Sequence, residues 1–163
     1  MEELQLEIIV LFWLMGINGA PIFLTKLLDQ RFSYPIDCNR VFSDGRPILG
    51  SSKTFRGLIS ALLASVLIGS IFAIPFHISL LFGALSMAGD MTSSFIKRRF
   101  GLVSSSMALV LDQIPESLFP LLGCKDFLGI SVEQIVVIVL AFCLIDIILS
   151  RLLFWLHIRK TPH

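Results

Sequence analysis

The sequence predicts an all-α integral membrane protein with five transmembrane helices, forming a single domain over residues 1–163. Three observations predict it. Hydrophobic residues make up 55% of the chain and charged residues 15%, where a soluble domain carries about 25% charged residues. Mean hydropathy is +0.87. Uncharged runs extend over residues 8–25 and, apart from His77, over residues 57–89. Finally, the cations gather in alternate connections rather than being spread evenly.

The first run is long enough for one crossing, since about 20 helical residues span the hydrocarbon core. The chain starts Met1-Glu2-Glu3, without a basic stretch and with no small-residue cleavage pattern after the run, so this segment is expected to remain as the first helix. Asn18, Gly19 and Pro21 are expected to interrupt it near its cytoplasmic end, as freed backbone is tolerated where it faces protein or a cavity. The second run is too long for one crossing and should divide at Ile74-Pro75-Phe76-His77 into the second and third helices. A fourth, more polar segment lies near residues 107–122 and a fifth near residues 133–155. The connections at residues 75–78 and 123–132 are short, whereas the first loop, residues 26–55, is long and polar.

Lys26, Arg31, Arg40, Arg46, Lys53 and Arg56 lie in or beside that first loop, Lys97, Arg98 and Arg99 in the third, and Arg151, Arg159 and Lys160 near the C-terminus. Lys125 alone falls on the opposite side. The positive-inside rule then places the N-terminus outside and the first loop, third loop and C-terminus in the cytoplasm. Five crossings are consistent with termini on opposite sides. Cys38, Cys124 and Cys143 show no CxxC spacing and are read as small packing residues. The histidines near helix ends, His77 and His157, form no constellation.

The stretch DGRPILGSSKTFRG, residues 44–57, resembles a phosphate loop, with Gly45 and Gly50 at G-x-x-x-x-G spacing and Lys53-Thr54 following. A Walker loop needs its lysine directly after the second glycine, at a strand-to-helix turn. Here Ser51 and Ser52 intervene and an apolar helix follows, so the motif is excluded. Ser51 or Ser52 is instead expected to cap a helix starting near Lys53. Its first turn would hold Lys53, Thr54 and Arg56 at the membrane surface, as an anion site or as headgroup anchors.

The third helix ends GALSMAGDMTSSFIKRRFG. Asp90 and Lys97 are seven residues apart, which brings the helix back near its starting azimuth about 10 Å further on. Asp90, Ser93, Ser94 and Lys97 therefore share a stripe leading toward the cytoplasmic surface. A carboxylate inside a membrane helix is costly and faces a polar cavity. In the fourth segment Asp112 and Glu116 stand at i, i+4 beside Gln113, with Pro115 between them. These residues suit an interhelical hydrogen-bond cluster or, with Asp90, a Mg²⁺ site, since Mg²⁺ takes one or two carboxylates plus substrate phosphates. Asp146 in the fifth helix is expected to pair structurally, with Arg151 or with another helix.

Acids suited to a divalent cation and cations suited to phosphates thus meet at one membrane face, which fits phosphoryl or nucleotidyl transfer. A transporter or channel subunit using intramembrane carboxylates is the alternative, although the polar groups do not recur at all membrane depths. A CDP-alcohol phosphotransferase would need a D-G-x-x-A-R start, which is absent.

The order of NGAP (residues 18–21), FSDGRPILGSSKTFRG (42–57), GDMTSSFIKRRFGL (89–102) and LDQIPESL (111–118) resembles the CDP-archaeol synthase family. The resemblance implies a five-helix membrane cytidylyltransferase of the cell (inner) membrane, open to the cytoplasm. It would transfer CMP from CTP to a lipid phosphate, archaetidic- or phosphatidic-acid-like, releasing pyrophosphate with Mg²⁺ as cofactor. CTP, the lipid phosphate and membrane lipids are then the partners, with no nucleic acid. Carried onto this chain, Lys53, Asp90, Lys97 and Asp112 are catalytic candidates, and Asp90, Asp112 and Glu116 candidate metal ligands. Asp44, Arg46, Ser52, Thr54, Arg56, Arg98 and Arg99 are candidates for binding CTP and the lipid phosphate. Ser51 stands where the archaeal pattern has an acid, and Ile114-Pro115 where it has x-Asp, with Glu116 next in line to replace the acid missing at Pro115; the wording around residues 105–118 is that of a bacterial-type member.

Overall fold

A computed structural model describes residues 2–29, 31–103 and 111–155. The described residues hold six helices in order: α1 (Glu2–Leu28), α2 (Phe55–Ile71), α3 (Phe76–Arg99), α4 (Gln113–Gly123), α5 (Lys125–Leu128) and α6 (Val132–Trp155). Among the described residues there is no strand beyond two isolated bridges in the first loop, Pro35 with Thr54 and Val41 with Pro47.

Among the described residues, two helices are long and apolar enough to cross a membrane on those grounds alone. They are α1 over Leu4–Leu28 and α6 over Val132–Leu152, with mean hydropathies of 2.0 and 2.7. α2, over Phe55–Ile71, is a shorter apolar helix. Of the fourth expected segment, residues 107–110 lie outside the described residues. The described part, α4, has 11 residues and a length of about 16 Å, half of a ~30 Å hydrocarbon core.

α1 is continuous through Pro21, contrary to the interruption expected from Asn18-Gly19-Pro21. Proline removes a single N–H from the ladder. Nearby side chains donate to carbonyls: Asn18 Nδ2 to Leu14 O at 3.0 Å and Thr25 Oγ1 to Pro21 O at 2.8 Å. The break between α2 and α3 falls where the sequence puts it, with Ala73 in the left-handed region at φ 56° and Ile74 N–H returning to Gly69 O at 2.8 Å. α6 opens with a capping box, Gln134 N–H on Ser131 Oγ at 3.2 Å and Ser131 N–H on Gln134 Oε1 at 2.8 Å.

The helices meet through small residues, as membrane helices do where backbones must approach closely. A Cβ on Gly83 would stand 2.7 Å from Ser65 Cβ, and one on Gly69 would stand 2.9 Å from Ser79 Cβ, so α2 and α3 are in near-backbone contact. Ser65 Oγ donates to Ser79 O at 2.6 Å, and Trp13 Nε1 of α1 donates to Ser65 O at 2.9 Å. Trp13 stacks on Phe82 with ring centroids 4.0 Å apart. This polar-seamed aromatic core fixes α1, α2 and α3 together. Leu121 of α4 is buried in the same core as Ile135, Ile138 and Phe142 of α6. Outward-facing Ile59, Leu63 and Leu67 of α2 and Val136, Leu140 and Leu144 of α6 leave a lipid-like exterior.

Candidate active site

The first loop is organised by an acid. Asp37 is buried, and its carboxylate accepts backbone N–H groups from Asn39 (3.0 Å), Leu49 (2.8 Å) and Gly50 (2.9 Å). Burial works to raise its pKa, but the three N–H donors outweigh it and hold the carboxyl below its ordinary 3.8. Asp37 was not among the expected site residues. The acid-led turn Asp-Cys-Asn, before the Gly50-Ser-Ser bend, was the available signal. The loop closes on itself where Ile36 N–H meets Lys53 O at 2.8 Å and Phe55 N–H meets Tyr34 O at 3.1 Å.

The cap of α2 is Thr54 rather than Ser51 or Ser52: its Oγ1 accepts Gly57 N–H at 3.1 Å, and its backbone is extended. The two serines form the exposed turn before it. Lys53, one residue before the cap, is thereby aimed across at α3. Its Nζ lies 2.5 and 2.7 Å from the two carboxylate oxygens of Asp90.

Asp90 follows Gly89, and that glycine is required by packing. A Cβ there would stand 2.1 Å from Pro115 O, so the backbone of α4 rests directly on α3. The contact sets the start of α4 beside Asp90. Lys97 Nζ reaches Asp112 Oδ1 at 2.8 Å and Oδ2 at 2.9 Å. Glu116, half-buried one turn along, feels the charges of Asp90, Asp146, Lys53 and Asp112. Asp146 accepts from Gln113 Nε2 at 2.9 Å, which is the helix-to-helix option among its two expected pairings. Lys53, Asp90, Lys97, Asp112 and Glu116 therefore form one constellation on α3, α4 and the entrance to α2.

The expected phosphate-binding cations divide into three groups. Arg56 is buried and turned toward the end of α1, donating to Asp29 O (3.0 Å), Arg31 O (2.5 Å) and Thr25 Oγ1 (3.1 Å). Its described partners are carbonyls and a hydroxyl at a helix C-terminus, a role of fastening the loop. Arg46 and Arg99 form a reciprocal clasp with Asp44. Arg99 Nη1 meets Asp44 Oδ1 at 2.5 Å, Arg99 Nη2 donates to Pro47 O at 2.5 Å, and Arg46 Nη1 donates to Arg99 O. The Arg99 guanidinium also lies 4.7 Å from the Phe42 ring centroid and 4.8 Å from that of Phe95. What desolvation Asp44 suffers works upward on its pKa; the Arg46 N–H and the charges of Arg99 and Arg46 hold it below its ordinary value. Arg98 stands apart from both, buried beside a cavity and donating to Val103 O at 2.9 Å.

Among the described residues, no three His, Cys, Asp or Glu side chains are grouped as a ready metal cage. The donor set nevertheless fits Mg²⁺ in kind. Asp90 and Asp112 are hard oxygen ligands, and Mg²⁺ uses one or two carboxylates while taking the rest of its shell from phosphates and water. Each carboxylate already faces a cationic nitrogen, so both favour a positive charge at their oxygens.

Comparison with known proteins decides the family. A family model described as CarS-like CDP-archaeol synthase matches residues 6–163. The chain belongs to that family. The CDP-archaeol synthase of Sulfurisphaera tokodaii is 36% identical over 136 residues, covering 78% of this chain and 81% of the relative. That of Pyrobaculum islandicum is 31% identical over 150 residues, covering 89% and 90%. A solved structure described as an intramembrane enzyme for archaeal membrane lipids biosynthesis superposes with a TM-score of 0.71 at 28% identity, covering 88% of this chain and 91% of that one. The protein is accordingly an enzyme of lipid synthesis, a cytidylyltransferase associated with the membrane. The family's motif stretches also touch in space: a Cβ on Gly57 would lie 3.7 Å from Pro21, joining NGAP to the Lys53 segment, and Gly89 joins the remaining two.

Proposed function

We propose that this chain transfers CMP from CTP to a lipid phosphate, giving a CDP-lipid and pyrophosphate. The observation that carries the reading is the double pairing of Lys53 with Asp90 and Lys97 with Asp112, in a chain of this family. It gathers cation-binding oxygens and phosphate-binding nitrogens at adjoining helix ends. The acceptor is a phosphomonoester on two apolar tails, archaetidic- or phosphatidic-acid-like. Its tails would enter between helices while CTP arrives from the cytoplasm. The accompanying topology is a single domain of the cell (inner) membrane with five crossings, the N-terminus outside and the first loop in the cytoplasm.

In the reaction an oxygen of the lipid phosphate attacks the α-phosphorus in line. The new P–O bond forms as the α–β bridging P–O bond breaks, and pyrophosphate leaves with the electron pair. A phosphomonoester has its second pKa near about 6, so the nucleophile is already ionised at neutral pH. No general base is required. Lys53 and Lys97 lessen the repulsion between two anionic reactants and stabilise charge on the departing pyrophosphate. Asp90 and Asp112, with Glu116 beside them, would hold Mg²⁺, which when bound supplies Lewis-acid neutralisation of the CTP phosphates. Arg46, Arg98 and Arg99 extend the positive field toward the loop.

The test is purified protein in lipid vesicles with CTP, Mg²⁺ and either phosphatidic or archaetidic acid. CDP-lipid and pyrophosphate are expected in equal amounts. Absence of both products with either acceptor refutes the reading.

A further inference from the structure

α4 starts without a side-chain cap. Asp112 occupies its N-cap position, with helical backbone angles of φ −79° and ψ −47°, and makes no capping hydrogen bond. An aspartate there ordinarily accepts an N–H of the first turn. Its carboxylate faces Lys97 Nζ instead, at 2.8 Å. The start of the helix is fixed by other means. Gln113 is 2% exposed, and its Nε2 crosses to α6, donating to Asp146 Oδ2 at 2.9 Å. On another side, Pro115 O is pressed against Gly89 of α3.

These two contacts do different things. The Gly89 contact sets how near α4 comes to α3, but one point of contact leaves the first turn of a helix free to rotate. The Gln113 bond removes that freedom. Successive residues leave a helix about 100° apart, so an anchored Gln113 settles where Asp112 points. At a radius of about 5–6 Å, a rotation of about 10–20° carries a carboxylate by roughly 1–2 Å. A misplacement of about 1 Å can cost about a hundredfold in rate.

Asp146 is a costly residue with which to hold an amide. It lies inside the apolar span Val132–Leu152 of α6, where a carboxylate is unfavourable and marks function. Its charge also reaches Glu116, a like charge that adds to the cost. What it meets is the first residue of α4, at the end that carries the helix's partial positive charge. Resting on the reading of the chain as a CTP-using enzyme, we infer that Asp146 is a positioning residue of the reaction, holding Gln113 so that Asp112 keeps its bearing on Lys97. It acts through Gln113 rather than on the reactants.

The test is CDP-lipid formation in vesicles with Mg²⁺ varied, together with melting curves for every variant. Asp146→Leu removes the acceptor and keeps α6 apolar. It should lower kcat by about tenfold or more and raise the half-saturating Mg²⁺ concentration, the scale of losing a partner that orients a metal-binding group. Asp146→Asn keeps an oxygen for Gln113 Nε2 and should restore kcat to within about threefold of wild type. Gln113→Leu breaks the same bond from the other side, so adding Asp146→Leu to it should cost nothing further. A readout without turnover is Mn²⁺ binding followed by electron paramagnetic resonance, with CTP present and no lipid acceptor. Affinity should fall in Asp146→Leu and recover in Asp146→Asn. An active wild type with Asp146→Leu within about twofold of it in kcat and Mn²⁺ affinity overturns the inference. So does Asp146→Asn as impaired as Asp146→Leu, or independent losses that multiply in the double variant. A kcat loss with unchanged Mg²⁺ and Mn²⁺ dependence and a lowered melting temperature also overturns it, marking Asp146 as a packing residue. Wild-type protein that makes no CDP-lipid sinks the reading on which the inference rests, and the inference with it.

Discussion

Lys53 Nζ contacts both carboxylate oxygens of Asp90, at 2.5 and 2.7 Å, and so ties the polar first loop to the middle of α3. Lys97 and Asp112 repeat the arrangement between α3 and the start of α4. Both pairs are largely removed from water, with the lysine and aspartate of the first each 21% exposed. In such a setting the pair matters less for its net attraction than for what happens when one partner is removed. An uncompensated charge in a partly buried site is strongly destabilising.

Asp90→Asn and Asp112→Asn are each expected to lower CDP-lipid formation by about a hundredfold or more, the scale of losing a main electrostatic element. Asp90→Asn should also lower the melting temperature, because Lys53 loses its counter-charge. The double variant Lys53→Met with Asp90→Leu separates the two effects. It should recover thermal stability without recovering turnover, as measured by melting curves and product formation. Unchanged turnover in either single variant would show that these carboxylates do not serve the reaction.

Asp37 gives a pH prediction. Its folded pKa lies below the ordinary 3.8, so the native state favours the carboxylate more than the unfolded chain does. The resulting stability is fully present above the unfolded pKa and is lost as pH falls through the folded value. Hydrogen exchange at Leu49 and Gly50 N–H should therefore be independent of this group near neutral pH and lose its Asp37-dependent protection only below about pH 4. Asp37→Ala should abolish that protection at every pH and cost about 1–3 kcal/mol, since three N–H groups lose their acceptor. Equal protection in Asp37→Ala and wild type would remove Asp37 as the organiser of the loop.

Much of this was legible in the sequence, and the reasons differ by residue. Asp90 and Lys97 share a stripe because helical periodicity alone dictates it, and an acid in an apolar helix requires a partner. The partner itself was not legible: pairing Lys53 with Asp90 needs the first loop to fold back over α3, a contact across 37 residues. Thr54 took the cap expected of Ser51 or Ser52 because the three are chemically alike and the helix start is set by the bridge between Pro35 and Thr54. Arg46, Arg56 and Arg99 stand out in the sequence only as cations, because sequence registers a cation without its counterpart. Their counterparts here include carbonyls, which no residue name reveals. Gly89 was hidden for the same reason, its meaning lying in the Pro115 carbonyl pressed against it.

That contact is directly testable. A Cβ at position 89 would stand 2.1 Å from Pro115 O and 2.3 Å from Pro115 C, and backbone atoms cannot swing aside as a flexible side chain can. Gly89→Ala must therefore push α4 away from α3, at an overpacking cost of about 1–3 kcal/mol. The displacement moves Asp112 and Glu116 relative to Asp90, so turnover should fall more than stability does. A doubly labelled protein with spin probes on α3 and α4 should show the separation widen. An unchanged distance and unchanged turnover would contradict the close approach.

Arg99 separates a geometric role from a charge role. Its guanidinium lies against Phe42 and Phe95 while its nitrogens reach Asp44 Oδ1, Pro47 O and Arg46 O. A lysine keeps the charge but has neither the planar face nor the fork. Arg99→Lys should therefore loosen the loop nearly as much as Arg99→Ala, by about 1–3 kcal/mol. Hydrogen exchange at Phe42 N–H, which is bonded to Arg46 O at 2.8 Å, is the readout. Asp44→Asn should have a much smaller effect, and one that disappears at high salt, because Asp44 lies at the water-facing end of the clasp and exposed pairs are screened. Should Arg99→Lys behave as wild type while Asp44→Asn releases the loop, charge rather than shape would be holding it, and the clasp as described would be wrong.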